Sequence, residues 1–290
     1  MNIWEEPFSA SGLSIMTRAE LIACGATPRG LTAAVKYGYL IRLRRDHYCL
    51  PHLAGYLREA VRVGGRLGCV SALKSYGVYA YEASLPHIHL RRSASRLRAP
   101  NVPMQPLNAT NRRDVILHWL PLADPTGGDE IRVGLVDALA QTVCCQHPWQ
   151  ALASIDNALH LGLIGDFDLG TIFDRVPVKY RYLRSLVDAK AEAGQETVLR
   201  MIVRDRGFSY VLQPTFERVG RADILVEDCL ILEADSRAHH DGWEKHVVDR
   251  ERDLQFARLG YPSLRPAYQH TMHHPQLVGE AIAGLVIGRR

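Results

Sequence analysis

The sequence predicts an α/β (α+β) multidomain chain, on three observations. The first is length. A chain of 290 residues exceeds what one hydrophobic core usually serves, and 47% hydrophobic with 23% charged residues is ordinary globular usage. A sizeable core is available without metals or disulfides as staples. The second is periodicity: helix-period segments lead, and the last hundred residues alternate helices with short apolar strands. The third is charge. Residues 1–120 hold 16 of the 35 Lys and Arg but 7 of the 31 Asp and Glu, a balance of +9 against −5 in the rest. A basic part joined to an acidic part fits a polyanion-binding module attached to something else, and a solvated surface accounts for it equally.

Residues 12–50 read as helix, turn, helix, hairpin. Thr17 with Glu20 makes a capping box for the first helix, which stops near Gly25. Thr27 caps the next, with Pro28 at its first position, and it ends near Gly38. Two strands, 39–43 and 47–50, flank Arg44-Arg45-Asp46. This order meets the needs of a winged helix-turn-helix, expected over 1–55: a second helix for the major groove and a basic wing for the backbone.

The segment 56–188 reads as an α/β scaffold. Helices are expected at 57–63, 70–76, 133–145 and 148–161, with strands at 87–90 and 116–120. Arg91, Arg92, Arg96 and Arg98 follow the first of these strands. The six cysteines (Cys24, Cys49, Cys69, Cys144, Cys145, Cys229) form no Cys-x-x-Cys pair and read as reduced, mostly buried thiols. His239, His240 and His246 could serve zinc, but no cysteine spacing supports such a site.

From 189 to 290 the order is α-β-β-β-α-β-α: helix 191–206, strands 210–216, 223–226 and 229–235, helix 244–259, strand 261–265, and a helix after Pro275. This implies a mixed sheet flanked by helices. Leu230-Ile231-Leu232-Glu233-Ala234-Asp235 is an apolar strand ending in two carboxylates on one face. A hairpin around Glu227-Asp228 brings Asp223 beside them. Solvated edge positions are the alternative, but an apolar strand with a polar C-terminal end is where α/β sheets place their sites.

Like charges so gathered raise one another's pKa, and a hard divalent cation removes the conflict. Asp223, Glu233 and Asp235 are therefore the candidate metal ligands, with Mg²⁺ or Mn²⁺ as the ion. Such an ion activates water and stabilises charge developing on a phosphate. His240, or its neighbour His239, is placed for acid catalysis or for holding the phosphate. Glu196 fits either the site or the surface of its helix. Asp249 and Asp253 fit surface pairing with Arg250 or Arg252 better than metal binding.

Several spaced motifs carry a resemblance: Glu196, Gln213, Val219-Gly220-Arg221-Ala222-Asp223, Leu232-Glu233-Ala234-Asp235-Ser236-Arg237-Ala238-His239-His240, Asp249-Arg250-x-x-Asp253-Leu254 and Leu259-Gly260-Tyr261. Together they resemble the domain-of-unknown-function proteins related to the very-short-patch-repair (Vsr) endonucleases, of the restriction-endonuclease-like PD-(D/E)xK fold. The resemblance covers about a third of the chain. It implies that Asp223 and Glu233 hold the metal, that Asp235 stands where much of the wider fold has lysine, and that His240 is the histidine after the acidic strand. Ser236 replaces the usual glycine. The N-terminal part resembles the winged-helix domain of AbiEi-type antitoxins, through Met16-Thr17-Arg18-Ala19-Glu20-Leu21, Leu31-x-x-Ala34-Val35-x-x-Gly38 and Leu40-x-Arg42-Leu43-Arg44-Arg45-x-x-Tyr48.

The expectation is a DNA-binding protein with a Mg²⁺-dependent endonuclease domain. Arg29, Lys36, Arg42, Arg44 and Arg45 would contact double-stranded DNA, mostly at phosphates. The alternative is a non-enzymatic regulator or antitoxin with a degenerate nuclease fold and a toxin protein as partner. No Walker-type phosphate loop or Gly-x-Ser-x-Gly elbow occurs, which disfavours ATP-driven and serine-hydrolase chemistry. The start Met-Asn-Ile-Trp-Glu-Glu lacks a signal peptide's basic and apolar regions, and no segment nears the ~20 apolar residues that span a bilayer. A cytoplasmic protein without a membrane partner is expected.

Overall fold

The computed structural model describes residues 3–81, 84–102, 104–234 and 243–288. It has mixed helix and sheet content with small mixed sheets, and divides into two compact units, Met1–Cys145 with Asp168–Val178, and Gln146–Phe167 with Lys179–Arg290.

The first unit opens with α1 (Glu6–Ser11), β1 (Met16–Thr17), α2 (Arg18–Ala23), α3 (Pro28–Lys36), β2 (Ile41–Arg44) and β3 (His47–Cys49). Local chemistry sets both helix starts. The Thr17 hydroxyl accepts from Glu20 N at 3.2 Å while Glu20 Oε2 accepts from Thr17 N at 2.6 Å. The Thr27 hydroxyl accepts from Gly30 N at 3.0 Å, one residue pair past Pro28. Strands β2 and β3 form an antiparallel hairpin, and β1 pairs with β3 to complete a three-stranded sheet. Phe8, Met16, Leu21, Leu31, Ala34, Leu40 and Tyr48 bury their side chains in one core beneath it.

The unit continues through α4 (Gly55–Val63), β4 (Arg66–Leu67), α5 (Cys69–Ser75), β5 (His87–His89), β6 (Ile116–His118) and α6 (Leu135–Cys145). The sheet order is β4-β5-β6, with β4 antiparallel and β6 parallel to β5. Helices α5 and α6 pack on each other and α5 packs on β5. None of the six cysteines forms a disulfide, but burial holds only for Cys49 and Cys69; Cys24, Cys144 and Cys145 are exposed and Cys229 is half-buried. The chain leaves after α6, which ends at Cys145 and is followed by a segment of the second unit.

The second unit begins with α7 (Pro148–His160). Helix α8 (Asp166–Arg175), which the sequence reading missed, returns the chain to the first unit from Asp168. Then follow α9 (Gly194–Asp205), β7 (Tyr210–Leu212), β8 (Thr215–Phe216), β9 (Gly220–Arg221), β10 (Ile224–Val226), β11 (Leu230–Leu232), α10 (Trp243–Arg258), β12 (Ser263–Leu264), α11 (Tyr268–His273) and α12 (Pro275–Ile287). The four-stranded sheet runs β12-β11-β10-β7, antiparallel except for the β11–β12 pair. The expected strand 210–216 is two strands in different sheets. Gln213 adopts φ +52° and Pro214 follows, so the ladder breaks there and β8 turns away to pair with β9. The turn at Glu227-Asp228, both at positive φ (48° and 51°), is the primed type that suits a two-residue hairpin.

Strands β10 and β11 are buried along their whole length. The sheet packs against α9, while Phe256 of α10 fills a core with Ala222, Leu225 and Ile231. Burying each aliphatic side chain of such a strand contributes about 1.5–3 kcal/mol. A polar triad anchors α9 to α7: Arg200 Nη2 meets Asp156 Oδ2 at 2.7 Å and the Thr197 hydroxyl donates to the same oxygen at 2.8 Å, all three residues buried. Among the described residues no helix is long and apolar enough to cross a membrane.

Candidate functional site

The β10–β11 register pairs Ile224 with Leu232, so Asp223 and Glu233 sit opposite each other one residue beyond the paired ends. Two hydrogen bonds fix their backbones. Gln213 N donates to Asp223 O at 2.9 Å, and Glu233 N donates to Leu264 O at 3.1 Å. The Asp223 carboxylate accepts from Ala234 N at 2.7 Å, reaching across to its partner strand. Glu196, on the first turn of α9, accepts from the backbone N–H groups of Glu192 (3.0 Å) and Ala193 (3.1 Å). Its carboxylate thus closes the start of α9 while lying close enough to feel Asp223.

Electrostatics binds the three together. Burial, followed by repulsion from Asp223, pushes both the Glu196 and the Glu233 carboxyls up to about 7. Burial is also the main cause that raises Asp223, against the pull of the Ala234 N–H and of Arg252 and Arg265.

Two arginines that the sequence reading did not place meet this cluster. Arg252 lies one turn before Phe256 on α10, and its Nη2 lies 3.2 Å from Glu233 Oε1 and donates to Arg221 O at 2.7 Å. Arg265 follows β12, whose parallel register with β11 sets it beside Glu233; its Nη1 is 3.8 Å from Glu233 Oε2. Arg265 Nε also pairs with Asp253 at 2.8 Å, and Asp253 pairs with Arg250 at 3.1 Å. Asp253 therefore belongs to an ion-pair network, as its helical spacing with arginines led us to expect. A fourth acid, Glu192, pairs with Arg221 at 2.5 Å and accepts from the Gln213 amide at 3.3 Å.

Asp235 and His240, with His239, lie outside the described residues. The structure thus brings together Asp223, Glu233 and Glu196 from the expected set. Among the described residues these carboxylates do not close into a set of three within 4.8 Å of one another. The cause is visible in their partners: Glu196 is held by backbone N–H groups and Glu233 by two guanidinium groups.

In the first unit, Arg29 and Lys36 are exposed on α3. With Arg18, Thr32 and Tyr37 they line a shallow depression along that helix. Arg42 and Arg45 on the β2–β3 hairpin are exposed, and Arg45 meets Asp46 only loosely at 3.5 Å. Arg44 differs. It is half-buried, and its guanidinium packs so closely on Gly64 that a Cβ there would come within 2.1 Å of Nη1. Burial and then Arg98 depress its pKa. Arg44 lines a separate cavity of about 580 Å³ with Arg66, Arg91, His47 and His89.

No protein-family model matches the chain, and no curated protein matches it.

Proposed function

We propose that this protein binds double-stranded DNA and hydrolyses a phosphodiester bond with a divalent cation, Mg²⁺ or Mn²⁺. The observation that carries the reading is the pairing of half-buried Asp223 with buried Glu233 across the ends of β10 and β11, with buried Glu196 of α9 near enough for Asp223 to raise its pKa as it raises that of Glu233. Acids near one another raise one another's pKa, and a bound divalent cation would relieve that conflict. Residues 189–290, within the second unit, are read as a restriction-endonuclease-like domain: a mixed sheet whose antiparallel hairpin carries the acids, followed by a helix and a parallel strand. Asp223 and Glu233 would ligate the ion, with Asp235 completing its shell. The ion would supply an activated water and charge stabilisation, and Arg252 or Arg265 would turn from Glu233 toward the phosphate. His240 is assigned to the leaving-group side.

Residues 1–55, within the first unit, are read as a winged helix. Helix α3 would enter the major groove, placing Arg29 and Lys36 on the duplex, while Arg42 and Arg45 touch backbone from the hairpin. Double replacement of Arg29 and Lys36 by alanine is expected to weaken duplex binding and to lower the slope of log K against log salt by about 2. Fluorescence anisotropy over a salt series measures both.

The discriminating experiment compares wild type with Asp223→Ala plus Glu233→Ala on plasmid, nicked and mismatched DNA. Wild-type cleavage that needs Mg²⁺ or Mn²⁺ and vanishes in the double variant is expected. A second reading, a DNA-binding regulator or antitoxin with a toxin protein as partner, is favoured by the two ion pairs that neutralise Glu233. Duplex binding without cleavage by wild type under any cation would replace the first reading with this one.

A further inference from the structure

The first unit holds a second cluster that the hydrolytic reading does not use. Cys69, His87, His118 and Cys145 each offer one ligand atom, and all four atoms lie within 4.8 Å of one another. The residues are 18, 31 and 27 positions apart, so no short motif announces them.

The fold explains the convergence. Strand alternation turns His87 and His89 to one face of β5, and the parallel register His89↔His118 adds His118 to that face. Cys69 is the first residue of α5 and Cys145 the last of α6, and these two helices pack on each other. His87 Nδ1 and His118 Nε2 are 3.0 Å apart, with the rings stacked at a 23° interplanar angle. Cys145 Sγ is 3.8 Å from the same His87 nitrogen. A tetrahedral ion with metal–nitrogen bonds of about 2.0–2.1 Å and metal–sulfur bonds of about 2.3 Å needs N···N near ~3.3 Å and N···S near ~3.6 Å. Both separations come within a few tenths of an ångström of those edges.

The shell around the four residues is ordered. Gln141, itself buried, accepts from Cys69 N at 3.0 Å and meets His89 Nδ1 at 3.2 Å. The Thr142 hydroxyl donates to Cys69 Sγ at 3.6 Å. His87 N donates to the Ser71 hydroxyl at 2.9 Å, and His87 O accepts from Gly68 N at 2.9 Å. Cys69 is held at φ +48°, a conformation that a non-glycine residue adopts only under constraint. The Thr142 contact reaches a ligand side chain, as outer contacts of a metal site do, and the others fix the backbone at Cys69 and His87.

We infer that Cys69, His87, His118 and Cys145 form a four-coordinate structural zinc site that ties α5 and α6 to the β5–β6 edge. Two thiolates and two neutral imidazoles give a neutral complex with Zn²⁺, and these soft and borderline donors select zinc over Mg²⁺ or Mn²⁺. Four protein ligands leave no open position, which makes the role structural rather than catalytic. This inference is independent of the Asp223 site.

The full-length protein, purified without chelator, is expected to carry about one zinc per chain by elemental analysis. X-ray absorption at the zinc edge is expected to show two sulfur and two nitrogen neighbours. Cys69→Ser and His118→Ala each should lose the ion, whereas Cys24→Ser and Cys144→Ser retain it. Should the ligand variants fail to fold, cobalt exchange into the wild type decides through thiolate-to-metal charge-transfer absorption. A shell of oxygen and nitrogen alone, a chain that takes up neither metal, or a thiol titration in denaturant with chelator finding four rather than six thiols (a Cys69–Cys145 disulfide) would each overturn the inference.

Discussion

Arg200→Ala is expected to destabilise the second unit by about 3–5 kcal/mol, the loss that follows when one member of a buried ion pair is removed. Asp156 is 0% exposed and Arg200 2%. The Arg200 guanidinium meets Asp156 at 2.7 Å and donates to Leu186 O at 2.8 Å. Without it the Asp156 carboxylate keeps only the Thr197 hydroxyl and the Asp188 N–H, at 2.8 and 2.9 Å, and must stay buried as a charge or take up a proton. Urea denaturation followed by circular dichroism measures the change. A loss below about 1 kcal/mol would mean that the α7–α9 anchor contributes packing rather than charge pairing.

The second large effect is on cation binding. Burial and then Asp223 push the Glu233 carboxyl up to about 7, outweighing the pull of Arg252 and Arg265. A cation needs the carboxylate, so it must displace the carboxyl proton below pH 7. Half ionised at pH 7 and about 1% ionised at pH 5, Glu233 then lowers the apparent affinity about fiftyfold between those two pH values. Manganese titrations at several pH values measure it, and a flat profile would mean that Glu233 is not a ligand.

Stability of the ion-free protein should move the opposite way. Glu196 and Glu233 titrate near 7 in the fold against 4.5 ordinarily. Between those values the folded chain holds more protons than the unfolded one. Stability therefore falls as pH rises through that window, and saturating cation removes the share that Glu233 contributes.

Local signals were legible in the sequence, and distant pairings were not. The capping box of Thr17 and Glu20, the Thr27-Pro28 helix start and the Glu227-Asp228 turn each depend on residues within four positions, and each stands as read. The facing of Asp223 and Glu233 follows from that turn alone. Arg252 and Arg265 reach Glu233 through a helix and a parallel strand pairing, and no spacing rule announces such a crossover. The break at Gln213 had one local mark, Pro214 within the expected strand, but the positive φ at Gln213 that turns β8 into a different sheet has none. Helix α11, between Pro266 and Pro275, was not placed from the sequence. The four residues of the zinc cluster were individually visible, but only the β5–β6 register and the α5–α6 packing join them.

The central claim is that Asp223 and Glu233 together hold a divalent cation. Calorimetric titration of the zinc-loaded protein with Mn²⁺ at pH 8 tests it most directly, with Asp223→Asn as the comparison. One Mn²⁺ bound per chain in wild type, and none at the same concentrations in Asp223→Asn, is the result the account predicts. Equal binding by both proteins, or no binding by wild type, would contradict it.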